Sequence, residues 1–84
     1  MDVLRYNELQ PRKLKNQFEQ VVKLLEAGDF VSAEVKKMPP TRYYRAKLSA
    51  GDRLLFSIAR HQGKKVILLL EIIYNHEYEK SRFL

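Results

Sequence analysis

The hydrophobic period of this chain changes once, at Met38-Pro39-Pro40, and that change limits the folds available to it. Before this point, apolar residues recur with helical spacing. After it they alternate with polar residues, as in strands that are covered on one face. Pro39 disfavours helical backbone at Met38, so no helix runs through the junction. A chain of 84 residues in this order predicts one α+β domain over residues 1–84, with its sheet mostly in the second half.

An amphipathic helix is predicted over about residues 11–27, after a short strand at Val3–Tyr6. Its apolar stripe follows the i, i+4, i+7, i+8, i+11 spacing and consists of Leu14, Phe18, Val21, Val22 and Leu25. Pro11 suits the first helical turn, and Gly28 suits the left-handed position that ends a helix. For Phe30–Lys36 two conformations stay open: a short second helix capped by Asp29, or an extended segment.

A three-stranded antiparallel meander is predicted from Tyr43 to Ile73. In its first strand, one face carries Tyr44, Ala46 and Leu48, and the other carries Tyr43, Arg45 and Lys47. Tight turns are predicted at 50–52 and 61–65. The third strand, 66–73, is apolar except for one carboxylate, which predicts a strand covered on both faces.

That carboxylate belongs to Glu71, and a buried carboxylate requires a partner. We predict an ion pair between Glu71 and either Arg45 or Arg53, which lie on the neighbouring strands. The C-terminal extension, Asn75–Leu84, is polar first and apolar at its end, which is compatible with a short helix.

Positive charge is concentrated in the middle of the chain. The net charge is +6, but the window from Lys36 to Lys65 alone carries +8, because Asp52 is its single acid. Its nine basic residues are Lys36, Lys37, Arg42, Arg45, Lys47, Arg53, Arg60, Lys64 and Lys65. Such a window favours a polyanionic partner, although a solvated sheet face would also carry charge of this kind.

Several classes of protein are excluded or disfavoured by composition. The chain has no cysteine, which removes disulfides, thiolate metal sites and cysteine nucleophiles. His61 and His76 lack a third ligand at any metal-site spacing, so no metal and no cofactor are predicted. The longest apolar run is far shorter than the ~20 residues that span a bilayer, and no signal pattern opens the chain. We therefore expect a soluble cytoplasmic protein that does not bind membranes.

Four residues form a chemically sufficient set for cleaving RNA with its own 2′-hydroxyl: Arg45, Arg53, His76 and Tyr78. This reaction needs a proton acceptor, a proton donor and positive charge facing the phosphorus. Arginine supplies permanent charge in a fork that fits phosphate, and histidine titrates near neutrality. Each residue also has a purely structural interpretation: the arginines as solvent-facing or ion-paired groups, His76 as a surface or capping residue, and Tyr78 as a packed ring.

The segments YYRAKL and GDRLLF, with HEY after the third strand, resemble the RelE/ParE superfamily of small bacterial toxins. The resemblance covers about residues 30–84 well, and residues 1–29 match only in kind, as a strand and a helix before the sheet. It implies a RelE-like fold: a short N-terminal strand, one or two helices, an antiparallel meander and a C-terminal extension. One fold serves several functions, so the fold is implied more strongly than the activity.

The ribonuclease branch of that superfamily cuts messenger RNA on the ribosome. By resemblance, Arg53 takes the place of the arginine that contacts the scissile phosphate, and His76 and Tyr78 fall near the family's C-terminal acid–base residues. Glu34 is the candidate for the family's glutamate base. By the same resemblance, Lys36, Lys37 and Lys47 match basic positions of the family, and Arg42 lies between them in the sequence. We therefore predict that Lys36, Lys37, Arg42 and Lys47 bind RNA. The expected partners are RNA or the ribosome and an antitoxin protein.

The sequence also departs from the nuclease pattern. Glu77 separates His76 from Tyr78, whereas the pair is adjacent in YoeB-like toxins. The tail after Tyr78 is longer than in the compact toxins and is similar to RelE-like modules that head larger bacterial proteins. A segment cut from a longer chain and an element that simply ends at Leu84 both fit this terminus. The alternatives are therefore a non-catalytic RelE-fold module that binds protein or nucleic acid, and a ParE-like gyrase inhibitor.

Overall fold

The computed structural model describes residues 1–84 as one helix packed on a five-stranded mixed sheet. The elements are β1 (Asp2–Arg5), α1 (Lys15–Glu26), β2 (Lys36–Lys37), β3 (Tyr44–Lys47), β4 (Arg53–His61) and β5 (Lys64–Ile73). The strand order is β1-β5-β4-β3-β2; β1 is parallel to β5 and the other pairs are antiparallel. The predicted α+β class and the meander are confirmed. The sheet is larger than the predicted three-stranded meander because the predicted N-terminal strand, β1, pairs at one edge and the two-residue strand β2 pairs at the other.

The predicted helix is confirmed, but it is shorter than the predicted range 11–27 because its α-helical part begins at Lys15 and ends at Glu26. A 3-10 turn at Arg12–Leu14 precedes its 12 residues, and Phe18, Val21 and Leu25 are buried against the sheet. Gly28 follows the helix with φ 73°, the left-handed backbone expected of a residue that ends a helix. No helix of the chain is both long and apolar enough to cross a membrane.

The second helix is absent, and turns lead instead into β2. Asp29 does cap this segment, since its Oδ1 accepts the backbone N–H of Ser32 at 3.1 Å. However, the Ala33 carbonyl accepts the N–H of Lys47 at 3.0 Å, which draws the chain onto the sheet. Glu34 then adopts φ 51° and breaks the right-handed path. Of the two open alternatives for Phe30–Lys36, neither is fully correct: the segment is turns first and a two-residue strand last.

The sheet has two unlike faces. The helix face, the one covered by α1, carries the larger core cluster, to which the sheet contributes Ala46, Leu54, Phe56, Ile67 and Leu69. The site face is the opposite one. There a smaller buried cluster, Leu55, Leu70 and Ile73, is covered by Met38, Tyr43, Leu68, Tyr78 and Phe83. Two of the covering residues, Tyr78 and Phe83, come from the C-terminal segment (residues 74–84), which is therefore part of the fold.

The C-terminal segment contains one 3-10 turn, Tyr78–Lys80, rather than the longer helix that its composition allowed. Phe83 anchors its end, with its ring edge-on to Tyr6 at 5.5 Å and to Tyr43 at 6.3 Å between centroids. Arg82 bonds Glu8 near the N-terminus. Tertiary contacts, and not helical propensity, therefore fix this segment.

The predicted ion pair of Glu71 with Arg45 or Arg53 was wrong. The half-buried carboxylate accepts the Ser81 hydroxyl and the backbone N–H of Arg82. The donors come from the C-terminal segment, whose path the sequence pattern did not reveal.

Candidate functional site

Strand register collects four cations on the site face. Lys36 lies opposite Arg45 across β2 and β3, and Lys47 lies opposite Arg53 across β3 and β4. Directly opposed residues share a face, so all four side chains project to the same side. With Glu34 they line one cleft, which we call the basic cleft.

A backbone hydrogen bond made by the preceding residue, Ala33, places Glu34 in the basic cleft. The hydrogen bond from Lys47 N–H to the Ala33 carbonyl brings residue 34 beside the end of β3. Its carboxylate Oε2 then lies 3.7 Å from Lys47 Nζ. Both side chains are largely exposed, at 59% and 43%, so this ion pair adds little to stability. The carboxylate is therefore accessible to a ligand in the cleft.

Arg45 joins the cleft to the C-terminal segment. Its Nη1–H donates to the Tyr78 hydroxyl oxygen at 2.6 Å, and both side chains are half-buried. The Tyr78 ring packs on the buried cluster of the site face. Because the phenol oxygen accepts this bond, its own proton is free to be donated elsewhere.

Arg53 is held at the cleft by the turn that precedes β4. Its Nη1–H group donates to the carbonyl oxygens of Ser49 at 2.7 Å and Asp52 at 3.0 Å. A guanidinium has five N–H donors, and those on Nε and Nη2 have no protein acceptor here. One side of the fork is thus fixed, while the other side is available to an anion.

His76 lies beside Tyr78 but does not line the cleft. The two rings are 6.2 Å apart between centroids and tilted by 44°, and the imidazole is exposed. Its backbone N–H donates to the Gly51 carbonyl at 2.9 Å. Asn75 and His76 have φ of 50° and 56°, two consecutive left-handed residues without glycine. Such backbone is costly and persists only where surrounding contacts enforce it.

The Asp52 carboxylate also supports this left-handed backbone, although Asp52 was not among the predicted site residues. Its carboxylate accepts the Ser49 hydroxyl at 2.6 Å and the backbone N–H of Asn75 at 3.0 Å. The Ser49 bond, the Asn75 bond and the nearby charges of Arg53 and His76 lower the pKa of Asp52 below its ordinary value. Ser49 and Asp52 within one turn were a readable signal of local side-chain bonding. The bond to Asn75, 23 residues away, was not.

The predicted RNA-binding residues separate into two pairs. Lys36 and Lys47 line the basic cleft. Lys37 lies opposite Tyr44, whose ring packs in the core of the helix face, and Arg42 is exposed in the loop before β3. Of the four predicted catalytic residues, Arg45 and Arg53 line the cleft, Tyr78 is bonded to its edge, and His76 is a neighbour of Tyr78.

Comparison with known proteins identifies the architecture. No protein-family model matches the chain, and no curated protein matches it. Among solved structures, a YoeB/ParE toxin from Agrobacterium tumefaciens superposes with a TM-score of 0.65 at 7% identity, over 88% of this chain and 98% of that one. Identity this low makes the likeness one of fold alone. With its helix, mixed sheet and strand order, the chain has the RelE/ParE toxin fold.

Proposed function

We propose that this chain is a RelE-type endoribonuclease that cuts ribosome-bound messenger RNA without a metal ion, by attack of the 2′-hydroxyl on the adjacent phosphorus. One observation carries the proposal. The Arg45 guanidinium donates to the Tyr78 hydroxyl at 2.6 Å, at the edge of a cleft lined by four cations and a carboxylate. That set brings groups for charge stabilisation and for proton transfer into one small volume.

Charge stabilisation falls to the two arginines. As the 2′-oxygen attacks, negative charge grows on the non-bridging oxygens of the phosphate. Arg53 meets that charge with the free side of its fork, since the other side is tied to the turn carbonyls. Arg45 lies on the adjoining strand at the same cleft, and Lys36 and Lys47 hold the flanking backbone.

Proton transfer needs one acceptor and one donor. Glu34 takes the proton of the 2′-hydroxyl as the new O–P bond forms. The P–O5′ bond breaks, and the leaving 5′-oxygen receives a proton from the Tyr78 hydroxyl, with His76 as the adjacent proton reservoir. The products are a 2′,3′-cyclic phosphate on one fragment and a 5′-hydroxyl on the other.

The test is cleavage of a messenger bound to ribosomes, followed over time by primer extension. Tyr78→Phe removes the hydroxyl together with the bond that it accepts from Arg45, but keeps the ring that packs on the buried cluster, so the rate should fall by about 10²–10⁴-fold while the domain stays folded. Tyr74→Phe, an exposed tyrosine outside the basic cleft, is the matched control and should cut normally. A messenger with a 2′-deoxy nucleotide at the cleavage site should resist cutting. Wild-type protein that never cuts would end the proposal.

A second candidate is a binding function without catalysis, either as a module of a larger protein or as a ParE-like gyrase inhibitor. It is favoured by two observations: Arg53 is tied to its own turn, and the His76 ring has no hydrogen-bond partner. A supercoiling assay that shows gyrase inhibition by both wild type and Tyr78→Phe would support the gyrase alternative. For either toxin function, nuclease or gyrase inhibitor, we propose an antitoxin protein as a partner. Co-expression with neighbouring reading frames would identify it.

A further inference from the structure

A second basic cluster lies at the far end of the sheet from the cleft. The β4–β5 hairpin turns at Gln62 and Gly63, whose φ values of 52° and 79° match a tight two-residue hairpin turn. Its four flanking residues are all exposed and are Arg60, His61, Lys64 and Lys65. None of them belongs to the basic cleft. We call residues 60–65 the hairpin tip.

The register of the hairpin sets one pair of like charges against each other. Arg60 lies directly opposite Lys65, and Lys64 lies directly opposite the imidazole of His61. Directly opposed cations in a sheet are destabilising unless something neutralises them. The three ion pairs of the protein all lie elsewhere, at Lys47, Lys80 and Arg82. The fold therefore keeps uncompensated positive charge at a tight turn where neutral residues would be more stable.

We propose that the hairpin tip is a second phosphate-binding site for a polynucleotide. The chemistry of the tip favours nucleic acid over protein, because protein interfaces are anchored by aromatic and apolar residues and are depleted in lysine. The tip offers no such anchor: the exposed large apolar residues, Met1, Leu4, Val31, Tyr74 and Leu84, all lie outside it. What remains is long cationic side chains, which suit the regular charge of a phosphate backbone.

The tip and the basic cleft are aligned along β4. Leu54, Phe56 and Ile58 all belong to the helix face, so β4 keeps its alternation past the register shift at Leu55/Phe56, and His61 shares the site face with Arg53. Lys64 lies opposite His61 on that face, whereas Arg60 and Lys65 project from the other face of the hairpin end. Eight residue steps separate those two positions, about 27 Å at the rise of a β-strand. A strand that contacts both clusters must therefore present about eight phosphates, at ~3.4 Å per stacked nucleotide.

The proposal is tested by binding rather than by cleavage, so a protein that never cuts RNA can still pass. The probe is a fluorescent strand of about twelve 2′-O-methyl nucleotides, long enough to span both clusters and unable to attack its own phosphates. Lys64→Gln/Lys65→Gln removes two charges from the tip. Lys13→Gln/Lys15→Gln, two exposed lysines before and at the start of α1, removes two charges elsewhere and is the matched control.

Fluorescence anisotropy over a salt series should separate the two variants. The tip variant should flatten the slope of log K against log salt by about 1.4 and weaken binding roughly 25-fold at 0.1 M salt, at about 0.7 per phosphate contact. Lys64→Arg/Lys65→Arg should restore both. Equal losses in the tip and control variants would mean a net-charge effect and would overturn the proposal, as would unchanged binding in the tip variant.

Thermal unfolding supplies an independent readout. Because the tip charges repel each other, Lys64→Gln/Lys65→Gln should unfold at a higher temperature while binding RNA less tightly. A lower unfolding temperature would show that the lysines serve the fold and would overturn the proposal. Tip-dependent binding of polyglutamate without tip-dependent binding of the RNA strand would assign the surface to an acidic protein, and would also overturn it.

Discussion

The two faces of the sheet are held by different kinds of interaction. The helix face is an apolar core in which Phe18, Leu25 and Phe56 are almost completely buried, each at 1% exposure or less. The site face has a buried cluster of only three residues, and its cover depends on the C-terminal segment. That segment is fixed by a few specific contacts, such as the bond of Tyr78 to Arg45 and the edge-on packing of Phe83.

This difference separates the residues that make the fold from those that shape the cleft. On the helix face, stability comes from apolar area that is buried over many close-packed contacts. On the site face, hydrogen bonds set the position of a few side chains and contribute modestly to stability. Substitutions on the two faces should therefore differ in kind: loss of folding on one, loss of geometry on the other.

The largest effect is expected from Phe18→Ala. The ring is 1% exposed in the centre of the main core, so truncation should cost about 3–5 kcal/mol, enough to unfold much of the population of a small domain. Chemical denaturation followed by circular dichroism measures this. Gln17→Ala, an exposed neighbour on the same helix, should change stability by less than about 0.5 kcal/mol. Comparable losses from both would refute the assignment of this face as the core.

A smaller loss is expected from Phe83→Ala on the site face. The half-buried ring makes two edge-on aromatic contacts, so we expect a cost of about 1–2 kcal/mol. The unfolding transition should remain cooperative, while amide exchange should accelerate only in the C-terminal segment. Leu84→Ala, the exposed next residue, should change neither measurement. Global destabilisation equal to that of Phe18→Ala would remove the distinction between the faces.

The helix face was largely predictable because its information is local. The stripe from Leu14 to Leu25 and the alternation of Tyr44, Ala46 and Leu48 follow from the geometry of single elements. The strand pairing of β3 with β4 followed from the short turn between them. The two-residue strand β2 carries no periodic signal, so its pairing with β3 appeared only in the structure.

The candidate site was only partly predictable because its decisive contacts join distant segments. Alternation placed Arg45 and Lys47 on one face, which the sheet confirms. Nothing local indicates that Tyr78 reaches Arg45 across 33 residues, or that Ser81 supplies the partner of Glu71. Buried polar groups must be satisfied, but a sequence pattern does not say by which partner.

Asp52→Asn tests whether one carboxylate positions the loop that carries His76. The substitution keeps the shape and removes the charge that strengthens the bonds from Ser49 and Asn75. We expect about 1 kcal/mol less stability, and faster amide exchange at Asn75 and His76, whose left-handed backbone loses support. Asp29→Asn is the matched control, because the Asp29 carboxylate bonds only Ser32, in a different turn of the chain. Exchange unchanged at both amides would exclude the positioning role.

The same carboxylate predicts the pH dependence of stability. The pKa of Asp52 in the folded protein lies below its ordinary value of 3.8, so the unfolded chain binds more protons near that pH. Its contribution is therefore complete above about pH 5 and is lost as the pH falls through the folded-state pKa. Wild type should lose more stability than Asp52→Asn between about pH 5 and pH 2. Parallel stability curves for the two proteins would contradict the sign of this shift.

Glu34→Gln should have the smallest effect on stability and a large effect on the rate of messenger cleavage. The Glu34–Lys47 pair is exposed at 3.7 Å, so its loss should change the free energy of unfolding by less than about 0.5 kcal/mol. If this carboxylate accepts the 2′-proton, messenger cleavage should nevertheless fall by at least about 10²-fold. Glu19→Gln on the exposed side of α1 is the control for both measurements. A stable Glu34→Gln protein that cuts at the wild-type rate would show that another group accepts the 2′-proton. A destabilised protein would show that the site face contributes more to stability than its few contacts indicate.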